Sequence, residues 1–332
     1  MQSETNTEKL YTALDLAAEK IHKVSGIPYL DALAESGESI LQGQTTIKLE
    51  GDAQEELDAL IKSVPDLEEI KSEEIRKAFQ LAVLKGMKEA TQANHAMTPD
   101  AVSLFAGHLA ELVLREQEQT HVILDPAVGS ANLLTAVMNQ ARRNFHAVGG
   151  DADETLIKLA YVNANLQKHN VDLFHQDSIA TPYVTNVDLV VSDLPVGYYP
   201  DDKTASEYEL ERKGGHSYVH HLLIEQSLRH VKDGGFMILL VPNFLFETDE
   251  ASALHAYLKK EAVIYSLLQL PKSMFKHQQQ AKSIFVLRKK ADGIEKPRQA
   301  LLAELPSFTN KQALADMIKR IDDWFESHLS QE

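Results

Sequence analysis

Apolar and polar residues follow two different rhythms along this chain. Up to about residue 95 the apolar positions recur at helical spacing and nothing alternates as a strand does. In "TEKLYTALDLAAEKIHKV" the residues Leu10, Leu14, Ala17, Ala18 and Ile21 fall on one stripe. "YLDALAESGESILQ" forms a second short amphipathic helix that stops before Gly43. "SEEIRKAFQLAVLKGMKEA" forms a third, with Ser72 suited to the N-cap and acids in the first turn. From Ala96 onward, short apolar stretches alternate with amphipathic helices. Strands are expected at residues 121–125, 147–151, 171–174, 188–192, 236–241, 263–269 and 283–287. That alternation predicts an α/β fold: a doubly wound, seven-stranded, mostly parallel sheet of Rossmann type. The last two strands are joined by "LPKSMFKHQQQAK", which has no helical stripe, so they are expected to pair antiparallel at one edge. A final helix near residues 311–327 carries the only tryptophan, Trp324. The chain thus reads as a small all-α N-terminal domain, residues 1–95, followed by the α/β domain, residues 96–332.

Composition narrows the class. With 44% hydrophobic and 25% charged residues the chain is of soluble globular type, and no apolar run reaches the length of a membrane span. The N-terminal "MQSETNTEKL" is polar and acidic, unlike a signal peptide. Cysteine is absent, which excludes disulfides and thiolate metal sites and makes a cytoplasmic location the simplest expectation. The net charge of −16 is concentrated at the start, where residues 1–75 hold 17 acids and 6 bases. Such a balance argues against gripping nucleic acid with the whole surface. Residues 259–298 reverse it, with ten bases against three acids. They are either solvated strand ends and loops or a face that meets phosphates.

Chemistry is suggested where strands end. "ILDPAVGSANLL" runs from a strand ending at Asp125 through a tight loop at Gly129 into a helix starting near Ser130. Such loops aim backbone N–H groups at a ligand, although ordinary strand-to-helix turns look similar. The next strand ends in Asp151 and Asp153. An acid some twenty residues after the glycine turn is where a ribose diol is usually held, while Asp153 also suits the cap of a helix at Glu154. The third strand ends at Asp177, whose carboxylate is able to accept from an adenine amine. Upstream, Thr98 suits an N-cap and Pro99 the first helical position. The fourth strand ends in "SDLPVGYYP", an acid followed by two tyrosines on a proline-stiffened loop.

Taken together these strand ends resemble the class I S-adenosylmethionine-dependent methyltransferases, specifically the adenine-N6 DNA methylase group that includes type I restriction modification subunits. Thr98-Pro99 resembles the element that meets the methionine carboxylate. Asp125-Pro126-Ala127-Val128-Gly129-Ser130 resembles the "DPACGSG" loop. Asp151 and Asp153 resemble the acidic pair, with Asp151 on the ribose and Ala152 in the same cofactor segment. Asp177-Ser178 resembles the adenine-contacting loop. Asp193 to Val196 resembles the catalytic Asn/Asp-Pro-Pro-aromatic tetrad. The likeness covers about residues 96–290, and the whole chain resembles a firmicute branch with an added helical N-terminus. Four positions depart from the pattern: Val128 replaces cysteine, Ala131 the second glycine, Leu194 the first proline and Val196 the stacking aromatic.

The resemblance implies S-adenosylmethionine as cofactor, no metal, and methyl transfer to an amine. Asp193 would accept one amine hydrogen through its side chain and Leu194 the other through its carbonyl, and Asp193 also borders the cofactor. Pro195 would fix the loop, and Tyr198 or Tyr199 would take the place of the stacking aromatic. Adenine in nucleic acid is the leading acceptor, with a protein or small-molecule amine as an alternative. A cofactor-binding partner subunit without catalysis is the other. About forty residues follow Lys290, too few for a target-recognition domain of the kind duplex DNA usually requires. The acidic helical domain is a candidate docking face for a second copy or a partner protein. No membrane association is expected.

Overall fold

The computed structural model describes residues 5–89, 97–114, 119–294 and 296–329. The domain boundary expected at residue 95 lies outside the described residues. Among the described residues four α-helices build the N-terminal layer: α1 (Asn6–Ser25), α2 (Tyr29–Gln42), α3 (Asp52–Lys62) and α4 (Ser72–Glu89). Helix α1 opens on a capping box, in which Thr5 and Glu8 satisfy each other's backbone N–H groups. It closes on Gly26 in the left-handed conformation. Helix α3 was not expected, because only Leu57 and Ile61 of its residues are buried and so short a stripe is easily overlooked. Ser72 is not the cap of α4. It is the first helical residue, and its hydroxyl points instead to the Gln167 carbonyl.

The second layer system alternates α5 (Asp100–Val113), β1 (His121–Asp125), α6 (Asn132–Gln140), β2 (Phe145–Asp151), α7 (Glu154–Leu166), β3 (Val171–His175) and β4 (Val187–Asp193). It continues with α8 (Asp202–Ala205), α9 (Val219–His230), β5 (Val231–Pro242), α10 (Ala251–Glu261), β6 (Ala262–Gln269), β7 (Lys282–Lys289), β8 (Leu301–Glu304) and α11 (Lys311–Leu329). The sheet order is β3-β2-β1-β4-β5-β7-β6-β8. Strands β1 to β5 are parallel, as expected, and β7 runs antiparallel to both β5 and β6.

Two expectations need correction here. Among the described residues the sheet has eight strands, not seven, and the antiparallel pair is not at its edge. β7 inserts between β5 and β6, and the four-residue β8 pairs parallel with β6 outside them. So short a strand offers little alternation to find, and its Leu302 is 66% exposed.

Both faces of the sheet are covered, which explains why its strands read as continuous apolar runs. Ile123, Leu189, Val191, Ile238 and Val286 face α5, α6 and α11, while Leu124, Val190, Leu239 and Phe285 face α9 and α10. The helical layer does not stand apart. Leu156, Leu159, Val162 and Leu166 of α7 complete one core with Leu10, Leu33, Phe79 and Val83. At Gly37 the helices touch so closely that a Cβ would lie 2.2 Å from Val162 Cγ1. Among the described residues no helix is long and apolar enough to cross a membrane.

Candidate active site

The C-terminal ends of the parallel strands bring the expected residues to one rim. Asp125, at the end of β1, is buried, and its Oδ1 accepts from Ser192 Oγ at 2.7 Å and from the Ala127 N–H at 3.1 Å. Burial pushes its carboxyl up to about 7. Those two hydrogen bonds oppose the shift, and the neighbouring charges of Asp151 and Asp193 add to it. The loop then turns through Gly129 at φ 53°, where an added Cβ would meet nothing within 4 Å. The space over this glycine is therefore open. Ala131 follows, left-handed at φ 60°, immediately before α6. The helix thus starts at Asn132, two residues later than expected.

Asp151 ends β2 and reaches back over the loop. One oxygen accepts from the Gly129 N–H at 2.9 Å and the other from the Asp153 N–H at 3.0 Å. Asp153 caps α7 through the Leu156 N–H at 3.0 Å, as expected. Ala152 lies exposed between the two acids, its carbonyl 3.1 Å from His175 Nε2. Ser178 donates to the Pro126 carbonyl at 2.6 Å and so ties the third loop to the first. Asp177 is committed within the protein. Its Oδ1 accepts from the Ile179 N–H at 2.9 Å and its Oδ2 from the Tyr199 hydroxyl at 2.5 Å.

Asp193 lies at the end of β4, mostly shielded from solvent. Thr98 Oγ1 donates to its Oδ2 at 2.7 Å. The expected helix cap is thereby corrected: α5 starts at Asp100, Pro99 precedes it in an extended conformation, and the Thr98 hydroxyl is spent on Asp193. Lys282, the first residue of β7, donates from Nζ to Asp193 Oδ1 and to the Leu194 carbonyl, the latter at 3.0 Å. Leu194 is buried and its own N–H bonds the Leu240 carbonyl at 3.1 Å, which fixes the direction of its C=O. Pro195 and Val196 are exposed beyond it.

The tyrosines take different roles. Tyr199 is buried and holds Asp177, so its ring does not face a ligand. Tyr198 is 58% exposed and stacks on Tyr218 with ring centroids 5.1 Å apart. Arg212 lies over both rings, and Asp249 receives both Arg212 and the Tyr218 hydroxyl. Next to Tyr218, burial holds the His220 imidazole down to about 3, with His221 and Lys282 adding to the shift. Neither His220 ring nitrogen has a hydrogen-bond partner among the described residues.

Two site residues were not singled out in the sequence. Lys282 is one of ten bases in its segment, and only the register shows it to matter. Asp193 lies beside Leu240, and Lys282 pairs with Pro242 of the same strand. Arg76 of α4 is the other. It is fully buried and bonds Asn132 Oδ1 at 2.7 Å, Glu73 Oε1 at 2.7 Å, and Asp100. Asn132 in turn donates to the Thr98 carbonyl at 3.3 Å, so a guanidinium from the helical layer steadies the segment that holds Asp193. Of the other bases in that segment, Lys260 pairs with Glu209, Lys289 with Asp233, and Lys290 with the Lys259 carbonyl. Those members are tied up at the end of α10 and the end of β7. Lys272 and Lys276 remain exposed on the loop that leads into Lys282.

Comparison with known proteins shows the family of the chain. The family described as N-6 DNA Methylase matches residues 83–331. The chain belongs to that family. Residues 8–87 match a second description, the YtxK N-terminal helical domain. Uncharacterized protein YtxK of Bacillus subtilis (strain 168) is 43% identical over 320 residues, 96% of this chain and 97% of that protein. A Listeria monocytogenes protein, whose crystal structure is described as that of a candidate class I S-adenosylmethionine-dependent methyltransferase, is 42% identical with TM-score 0.90. That match covers 96% of this chain and 99% of the other. The type I restriction-modification methyltransferase subunit of Streptococcus thermophilus shares the fold at 17% identity, with TM-score 0.65 over 95% of this chain and 74% of its own.

As an N-6 DNA methylase family member the chain is a methyltransferase, and S-adenosylmethionine is its cofactor. The residues present fit that molecule. The space over Gly129 is open, Asp151 is an oriented carboxylate of the kind a ribose diol needs, and Asp125 is an acid shielded enough to sense a nearby cation. Held by these residues, the cofactor would supply an electrophilic methyl group on a sulfonium.

Proposed function

We propose that this chain methylates an exocyclic amine, with adenine N6 in nucleic acid as the acceptor. The observation that carries the reading is the pair of oxygens at Asp193 and Leu194, which already converge on one nitrogen, that of Lys282. An adenine amine is a weak nucleophile because its lone pair is delocalised into the ring. Two acceptors that take both its hydrogens favour the tetrahedral nitrogen and orient the lone pair. Each part of the rim then has a task. Thr98 holds the Asp193 carboxylate in place, the buried Leu194 N–H aims the carbonyl, and Pro195 stiffens the turn beyond it. Tyr198 offers the exposed ring on this loop, and its stack with Tyr218 and Arg212 is the surface on which a flipped base would be received. Lys272 and Lys276, exposed before β7, supply positive charge at the same rim for phosphates.

A second reading is favoured by Lys282 itself. The ion pair with Asp193 suits a cofactor-binding subunit whose catalytic acid has been neutralised. One experiment separates the two. Adenine-containing single-stranded oligonucleotides are incubated with methyl-labelled cofactor and either the wild-type protein or Asp193→Ala. The proposed activity requires label in the first case and its loss in the second, with S-adenosylhomocysteine still bound by the variant. Equal turnover in both proteins refutes the assignment of Asp193, and no label in either favours the non-catalytic subunit.

A further inference from the structure

Lys282 stands where an acceptor amine is expected. Its Nζ gives hydrogens to Asp193 Oδ1 and to the Leu194 carbonyl, the two oxygens assigned above to the substrate nitrogen. With side chains 21% and 16% exposed, Lys282 and Asp193 are largely shielded from water. We propose that Lys282 is itself a methyl acceptor, so that the site modifies its own lysine. The inference rests on the reading of Asp193 and Leu194 as the amine-binding pair.

Three features favour a lysine in that place. First, Asp193 is a carboxylate, which, unlike an amide, has a full charge to offer an alkylammonium. Second, Val196 stands where the family's ring-stacking aromatic is found, Tyr199 is buried on Asp177, and Tyr198 is stacked on Tyr218. The loop position that carries the stacking ring in the family therefore carries an aliphatic side chain here. Third, an alkyl amine keeps its lone pair on nitrogen and is a strong nucleophile once it has lost a proton. A neutral lysine amine has two hydrogens, one for each oxygen, and one lone pair left over. The nitrogen that fills both hydrogen bonds is therefore also the one whose lone pair is free to react.

The step balances without a further reagent. Nζ gives one proton to water. Its lone pair forms the new bond to the methyl carbon of S-adenosylmethionine, and the sulfur–methyl bond breaks with its electron pair remaining on sulfur. N-methyl-lysine and the thioether S-adenosylhomocysteine result. The methylated, neutral amine has a single hydrogen for two oxygens, so a second transfer is poorly held and one methyl is expected to predominate.

The test uses the full-length protein without nucleic acid. Wild-type, Lys282→Arg and Asp193→Ala proteins are incubated with methyl-labelled S-adenosylmethionine. The peptides are then mass-mapped with a protease that does not cut at lysine. S-adenosylhomocysteine binding is measured on the same samples by calorimetry, a readout independent of turnover. The expected result is the mass of one labelled methyl group on Lys282 in the wild type, its absence in both variants, thioether affinity within severalfold between wild type and Lys282→Arg, and measurable thioether binding in Asp193→Ala. The inference is overturned by an unlabelled Lys282 in a wild type that binds the thioether, by label confined to other lysines, or by label on Lys282 that survives Asp193→Ala. An oligonucleotide methylated while Lys282 stays clean sinks this inference and leaves the adenine reading standing. Label on Lys282 with none on any oligonucleotide does the reverse. A wild type that fails to bind the thioether sinks both.

Discussion

Asp125 offers a quantitative test of the rim. Its carboxyl is buried, and its acidity is displaced to about 7 in the folded chain against about 4 in an unfolded one. Because the folded-state value is the higher, folding is favoured while the group is protonated. That contribution is complete below about pH 4 and is lost as pH rises through about 7. Each unit of displacement is about 1.4 kcal/mol, so this one group removes about 4 kcal/mol of stability between about pH 4 and pH 8. Asp125→Asn keeps an oxygen for Ser192 Oγ and the Ala127 N–H and resembles the protonated acid in shape, but it has no charge to bury. Urea denaturation of both proteins across that pH range measures the difference. The variant is expected to match the wild type near pH 4 and to exceed it by about 4 kcal/mol near pH 8. Parallel stability curves would mean that Asp125 is already ionised in the folded protein at neutral pH, and the argument from burial would fail.

Further expectations follow from other residues. Arg76→Ala removes a fully buried guanidinium from Asn132, Glu73 and Asp100, and since both acids are partly exposed the cost should sit at the low end for a broken buried pair, about 3 kcal/mol by denaturant unfolding. S-adenosylhomocysteine affinity should fall with it, because Asn132 then loses one of the bonds that steady it beneath Thr98; full affinity in a folded variant would rule out that coupling. Ala131→Gly should stabilise the protein by about 1 kcal/mol in the same assay, since a left-handed backbone disfavours a side chain. A destabilised variant would show that the Ala131 methyl contributes more to the core than its backbone costs.

The parts legible in the sequence were those written in local pattern. β1, β2 and β4 are buried on both faces and end in Asp125, Asp151 and Asp193, so apolar runs stopping at acids marked the strands and the rim together. Helices α1, α2 and α4 were legible from their stripes, and the cap at Asp153 from its position. What escaped depends on distant partners. The place of β7 between β5 and β6 is a matter of register, and Lys282 meets Asp193 across 89 positions only because of it. Arg76 reaches Asn132 across 56 positions, and an arginine on an amphipathic helix ordinarily reads as a surface residue. The cap at Thr98 failed for a related reason, because the hydroxyl serves Asp193 rather than its own helix. β8 has too few residues, and too exposed a leucine, to announce itself.

The contact at Gly37 bears on how this protein melts. A helix pair that meets with no room for a methyl group, over a core shared by α1, α2, α4 and α7, leaves no seam along which the two layers could part separately. Heating should therefore give one calorimetric transition instead of two, and loss of the N-terminal layer should take the methyl-donor cradle down with it. In that sense the helices form one wall of the same vessel as the sheet, and the two stand or fall together.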